Sequence, residues 1–173
     1  MLENLITSKT RLRLLIKFFL NISNSGYLNS LANEFNESTN SIRKELNNLS
    51  NANYLIRFAK DNKILYRANV NHPLFKPLQK IIRKYIGIEE ILENVYNRIG
   101  NVEKIALIGD YAKGRDTGYI EVLIVGKKIN LKYLNKLEKK IEKVISRKVQ
   151  FYISTKITKN NHLIIFEEKS YEN

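Results

Sequence analysis

The chain of 173 residues contains no cysteine, only two prolines and only seven glycines. Without thiols there is no disulfide framework and no thiolate-ligated metal site, which suits a reducing compartment, so a cytoplasmic protein is expected. So few prolines and glycines argue against a flexible linker or a low-complexity segment, and no internal repeat is visible. Long apolar runs are missing as well. The longest near the start, "LRLLIKFFL", is interrupted by Lys17 and is far too short to span a membrane. No small-residue cleavage site follows it, so a signal peptide is not expected.

Acidic residues are the scarcer charge. The chain has 17 Asp and Glu against 30 Lys and Arg, a net charge of +13 at pH 7. Residues 1–87 hold 14 basic against 5 acidic side chains, and residues 88–173 hold 16 against 12. The excess in the first half suits a polyanion partner, nucleic acid first of all. A general richness in Lys, Ile and Asn would give the same sign without any partner. A hydrophobic content of 43% is enough for a real core, and with 27% charged residues the composition is not that of a disordered chain.

Apolar spacing divides the first half into helices. Leu12, Leu15, Ile16 and Phe19 recur at i, i+3, i+4 and i+7, and Leu28, Leu31, Ala32 and Phe35 repeat the pattern. Ile42, Leu46 and Leu49 mark a third helix, for which Ser38 is the expected N-cap. Asn36 and Asn53 stand where tight turns call for a positive φ. "YLIRFAKDNKILYRANV" then reads as two strands around a polar tip, carrying Arg57, Lys60, Lys63 and Arg67. Three helices followed by a basic hairpin predict a winged helix.

The segment "SLANEFNESTNSIRKELNNLSNANYLI" resembles the helix-turn-helix of ArsR/MarR-like winged-helix regulators. The likeness covers about residues 8–70 and implies binding to double-stranded DNA. Burial of Ile42, Leu46 and Leu49 leaves Thr39, Asn40, Arg43, Lys44 and Asn47 on the opposite face of the third helix. Arginine suits guanine, asparagine suits adenine, and lysine or threonine suits phosphate. Arg57, Lys60 and Lys63 complete the expected DNA-binding set. The plainer reading of the same residues is the solvated face of an amphipathic helix.

A connector follows. Leu74, Leu78, Ile81, Ile82 and Tyr85 form one helical stripe, and Ile88, Ile91, Leu92, Val95 and Ile99 form another beyond Gly87. Gly87 is the expected break between helices. The first stripe reads either as ordinary core or as a homodimer seam. His72, beside Pro73, reads as a turn residue. The expected division is therefore residues 1–72, a connector helix over 73–87, and a second domain over 88–173.

The second half alternates helix, strand "VEKIALIG", glycine loop, strand "YIEVLIVG", helix "LKYLNKLEKKIEKVIS" and strand "KVQFYIS". That order predicts a small α/β domain with a mixed sheet, to which "HLIIFEE" could add an edge strand. "ALIGDYAKGRDTGYIEVLIVG" looks like the minimal nucleotidyltransferase domain of the polymerase-beta superfamily. Gly109 and Asp110 stand at that family's Gly-Ser pair, Ala112 to Gly114 at its loop, and Tyr119 and Glu121 at its two strand carboxylates. The resemblance implies a magnesium-dependent nucleotide site, but the chemistry departs from it. Alternate strand residues point the same way, so Tyr119 puts a phenol where the first carboxylate belongs. "KVQFYIS" lacks the third, and Asp110 puts an anion where a phosphate would lie. No catalytic residue, metal site or cofactor is therefore expected. Gly109, Asp110, Lys113, Arg115 and Glu121 remain as a ligand-binding set, with a nucleotide or small molecule as the effector class. Asp116, three residues before Tyr119, could help Glu121 only through an unusual fold-back.

The resulting expectation is a winged helix-turn-helix domain followed by an α/β nucleotidyltransferase-like domain, together a DNA-binding transcriptional regulator that acts as a homodimer. The alternatives are an active nucleotidyltransferase carrying a winged helix, and a winged-helix module for RNA or protein.

Overall fold

The computed structural model describes residues 2–96, 99–158 and 161–168. Residues 97–98, 159–160 and 169–173, expected to belong to the second domain, lie outside them. The chain divides into two units, Met1–Ile82 and Arg83–Asn173. Both mix helix and strand.

A short helix, α1 (Leu2–Leu5), precedes α2 (Lys9–Leu15), which runs on into a π-helical turn over Ile16–Leu20. The expected face of Leu12, Leu15, Ile16 and Phe19 is buried, and so are Leu14, Phe18 and Leu20 on the other side. Helical spacing identifies one apolar face, whereas residues 14–20 are buried on every side, as in a central core helix. In the wide π turn the Lys17 carbonyl accepts a hydrogen bond from Asn24 Nδ2 at 2.8 Å. Lys17 itself is buried, and its Nζ donates to both oxygens of Glu34 at 2.8 and 3.0 Å. A buried ammonium is tolerated only with such a partner.

A two-residue strand, β1 (Gly26–Tyr27), leads into α3 (Leu28–Phe35). Asn36 then closes α3 in the left-handed conformation at φ 53°, as its position in the sequence suggests. The next helix, α4 (Thr39–Asn51), starts at Ser38, whose side chain accepts from the Ser41 amide at 3.2 Å. An N-cap of this kind is worth about 1 kcal/mol. Asn53 takes φ 60° in the turn that follows. The hairpin consists of β2 (Leu55–Lys60) and β3 (Lys63–Ala68), in register from Leu55 opposite Ala68 to Lys60 opposite Lys63. Asp61 and Asn62 both have positive φ, the two-residue turn that matches strand twist. β1 pairs antiparallel with β3, giving a three-stranded sheet in the order β1-β3-β2. Two residues are too few to show as an alternating pattern, so this strand has no sequence signature.

His72 is the turn residue expected of it. Its Nδ1 accepts from the Leu74 amide at 3.1 Å, and its ring lies 4.3 Å from that of Tyr54. The helix after it, α5 (Phe75–Ile86), does not bury the expected stripe as a whole. Phe75, Ile82 and Ile86 are buried, but Leu74 precedes the helix and is 48% exposed, and Ile81 is 45% exposed. Ile81 lies about 100° around the helix from Ile82, enough to turn it out of the core.

Gly87, at φ 93°, separates α5 from α6 (Ile88–Tyr96), and a side chain there would collide with Ile145. The second unit is built on a four-stranded sheet. Its strands are β4 (Asn101–Ile108), β5 (Tyr119–Lys127), β6 (Lys148–Ser154) and β7 (His162–Glu167), in the order β6-β5-β4-β7. β5 and β6 are parallel and the other pairs antiparallel, so the sheet is mixed, with β7 at one edge. The parallel pair needs a crossover, supplied by α8 (Leu131–Ile145). Leu134, Leu137, Ile141 and Ile145 line one side of α8 and are buried, as are Ile120, Val122 and Ile124 on alternate positions of β5. Between β4 and β5 the glycine loop opens with one helical turn, α7 (Gly109–Ala112). Among the described residues, no helix is long and apolar enough to cross a membrane.

Candidate nucleic-acid interface and ligand loop

α4 separates its two sides cleanly. Ile42, Leu46 and Leu49 are buried, and Thr39, Asn40, Arg43, Lys44 and Asn47 are all exposed. Arg43 Nη1 donates to Asn40 Oδ1 at 3.0 Å, which steadies the guanidinium along the helix surface. On the hairpin, Arg57, Lys60 and Lys63 are exposed as well. Arg57 stands directly opposite Tyr66 in the ladder, so the two side chains share a face.

An open cleft of about 390 Å³ brings part of this set together. Arg43 and Asn47 line it from α4, Lys63, Ile64 and Tyr66 from β3, and Tyr27 from the end of β1. Lys63 Nζ lies 4.6 Å from the centre of the Tyr27 ring, a cation–π distance. Thr39, Asn40, Lys44, Arg57 and Lys60 do not line the cleft. Tyr27, Ile64 and Tyr66 carry no cue in the sequence, because an aromatic or β-branched residue in a strand usually reads as packing.

The acids of this unit are engaged elsewhere. Glu45, buried on α4, accepts from Arg11 Nε and from Ser8 Oγ, each at 2.8 Å. Burial works against its ionisation, but the bonds from Arg11 and Ser8 outweigh this and hold its carboxyl below the usual range. Glu37 accepts from Arg13 Nη1 at 2.8 Å and from the Thr10 hydroxyl, while Glu34 holds Lys17. These three carboxylates all pair with cations from residues 11–17. None lines the cleft, and Asp61 at the hairpin tip is the one acid on β2, β3 or their turn.

The glycine loop of the second unit is organised differently. Gly109 takes φ 63°, and a Cβ there would collide with the Glu121 carboxylate. The positive φ favours glycine, and any side chain there would push the Glu121 carboxylate aside. Asp110 is paired with Arg115, whose backbone amide also donates to the Asp110 carbonyl at 3.0 Å. The structure therefore brings Gly109 beside Glu121 and Asp110 beside Arg115, while Lys113 is half-buried in the same loop.

Asp116 does not fold back to Glu121. It accepts from the Tyr111 hydroxyl and from Arg147, with Nη2 at 2.8 Å from Oδ2 and Nε at 3.1 Å from Oδ1. Arg147 Nη1 donates to the Tyr85 carbonyl at 3.1 Å, and its guanidinium lies 4.7 Å from the Tyr85 ring centre. Only 11% of the Arg147 side chain and 18% of Asp116 remain exposed. Burial disfavours the Asp116 anion, but Arg147 and Tyr111 outweigh it and hold its carboxyl below the usual range. Burial, followed by donation to Asp116, pushes the Tyr111 phenol well above its usual range. Nothing in the sequence singles out Arg147 for this role.

On β5 and β6, Glu121 stands opposite Gln150, and the Tyr119 hydroxyl donates to Gln150 Oε1. Partial burial, then Tyr119 and the Glu121 charge, raise the Tyr152 phenol. Glu121 thus keeps company with phenols and an amide. Among the described residues, no three His, Asp or Glu side chains gather as a metal-ligand group.

No protein-family model matches the chain, and no curated protein or solved structure does so either.

Proposed function

We propose that the protein is a DNA-binding transcriptional regulator. Its first domain is a winged helix-turn-helix, with α4 as the recognition helix and the β2–β3 hairpin as the wing. The observation that carries this reading is the cleft in which Arg43 and Asn47 of α4 meet Lys63 of the hairpin without an acidic side chain. Recognition-helix side chains read base edges, and wing lysines hold phosphates. Selection of bound DNA from a random library tests it. A defined sequence enriched by the full-length protein is the expected outcome, and recovery of random sequence at every salt concentration would sink the reading.

The second domain we read as a nucleotidyltransferase-like fold without the catalyst, serving as a sensor or interaction platform for a nucleotide or small molecule. Two-metal chemistry needs carboxylates converging on ions about 3.5–4 Å apart. Glu121 has Gln150 opposite it and Tyr119 two residues before it, and Asp116 is taken up by Arg147.

A homodimer suits the exposed Leu74 and Ile81. Its half-sites would then lie about 10–10.5 bp apart or at a multiple of that spacing. Light scattering with and without DNA checks this, and a monomer in both conditions would refute it.

A further inference from the structure

We propose that the cleft between α4 and the hairpin receives one unstacked nucleotide, so that the protein binds most tightly where a DNA duplex carries an unpaired base. The inference rests on the reading of this surface as a DNA interface. A volume of about 390 Å³ lies within the range of small-molecule sites. The polar groups of the lining named above are cationic or neutral, which suits an anionic ligand. Two of those residues are tyrosines, and a third, Ile64, is 58% exposed.

Arg43, Asn47 and Lys63 suit an intact duplex, but the tyrosines and Ile64 of this lining find no partner on one. Its bases present edges to the grooves and hide their faces in the stack. A base turned out of the stack offers a π-face to an aromatic ring whatever its identity. Tyr66 and Ile64 supply the apolar floor, and the Asn47 carboxamide can bond the edge of the base. Lys63 stands at the rim for a flanking phosphate, and Arg43, steadied by Asn40, keeps the edge of an adjoining base. Arg57, opposite Tyr66 on the same face of the hairpin, adds a third cation. Exposed cations continue beyond the cleft at Lys44 and Lys60. Charges spread over such a length suit a polynucleotide strand better than a free nucleotide.

The test uses full-length protein and fluorescence anisotropy. One probe is the selected duplex, and the other is the same duplex with a single extrahelical 2-aminopurine. The bulged duplex is expected to bind about tenfold tighter, in line with the energy of stacking one base on an aromatic side chain, and 2-aminopurine emission should be quenched on binding. Tyr66→Leu and Ile64→Ala should remove that preference, so that each variant binds the two probes with equal affinity. Ile64 is exposed, so its replacement reports on the cleft even if Tyr66→Leu fails to fold. Equal affinity for the two probes would overturn this inference and leave the DNA reading standing. Failure to bind either probe would overturn both. Binding of a free nucleoside monophosphate as tightly as the bulged duplex would reassign the cleft to a mononucleotide and overturn the proposal.

Discussion

In both units arginines pair with buried or half-buried carboxylates, and the consequences are opposite. In the first unit Arg11 and Arg13 hold Glu45 and Glu37, and Lys17 holds Glu34. This draws acid away from the exposed side of α4, where Arg43 and Lys44 have no partner carboxylate among the ion pairs of the described residues. In the second unit the pairs close on the loop itself. Arg115 meets Asp110 and Arg147 meets Asp116, so the cations and anions that could have met a ligand or metal meet each other. The same local chemistry leaves the exposed side of α4 charged and pairs off Asp110 and Asp116 in the loop.

The comparison is tested most severely at Arg147. Arg147 holds Asp116, Tyr111 and two backbone carbonyls, so Arg147→Ala should destabilise the second unit by about 1–3 kcal/mol. Hydrogen exchange should show lost protection in β5 and β6 with α4 unchanged, and equal loosening of α4 would break the contrast. Next in size is the effect of acid. A carboxyl whose folded pKa is depressed contributes stability that is present above its unfolded pKa, about 3.9 for Asp, and is lost as pH falls through the folded value. The second unit should therefore loosen below about pH 4, and Asp116→Asn should flatten that dependence in an acid titration followed by hydrogen exchange. Glu45→Gln should do the same for the first unit.

Effects of similar or smaller size are expected at the charged surface. Arg43→Ala should cost roughly 1–3 kcal/mol at the preferred DNA site, and Lys60→Ala should weaken all sequences about equally while lowering the salt slope by about one. Titrations at several salt concentrations separate the two, and an unchanged preference in Arg43→Ala would remove α4 from the recognition role. The smallest expected effect is at Glu121. Glu121→Gln should leave DNA binding unchanged, and labelled nucleoside triphosphates with Mg²⁺ or Mn²⁺ should label neither the protein nor an acceptor in either form. Metal-dependent transfer that Glu121→Gln abolishes would reverse the contrast and make the second unit an enzyme.

Much of the frame could be read from the residues in order, because its causes are local. Ser38 caps α4, Asn36 and Asn53 take positive φ, and the "DN" tip makes the hairpin turn. The alternating strands of the second unit fall close to where their apolar residues place them. The exposed set on α4 follows from helical period alone. Other features depend on groups far apart in the chain. The unbroken burial of residues 14–20 reflects packing on several sides, which one helical period cannot express. Ile81 faces out because the buried line of α5 runs through Phe75, Ile82 and Ile86. The cleft joins Tyr27, Arg43 and Tyr66 across a two-residue strand that leaves no trace in composition. Above all, the partner of Asp116 was open in the sequence, with Glu121 five residues away and Arg147 thirty-one residues away. An approach to Glu121 required an unusual fold-back, and Arg147 carries no local cue. The parallel β5–β6 pairing, which places Lys148 opposite Tyr119, brings the end of α8 beside the loop, and the guanidinium there neutralises an anion that partial burial disfavours.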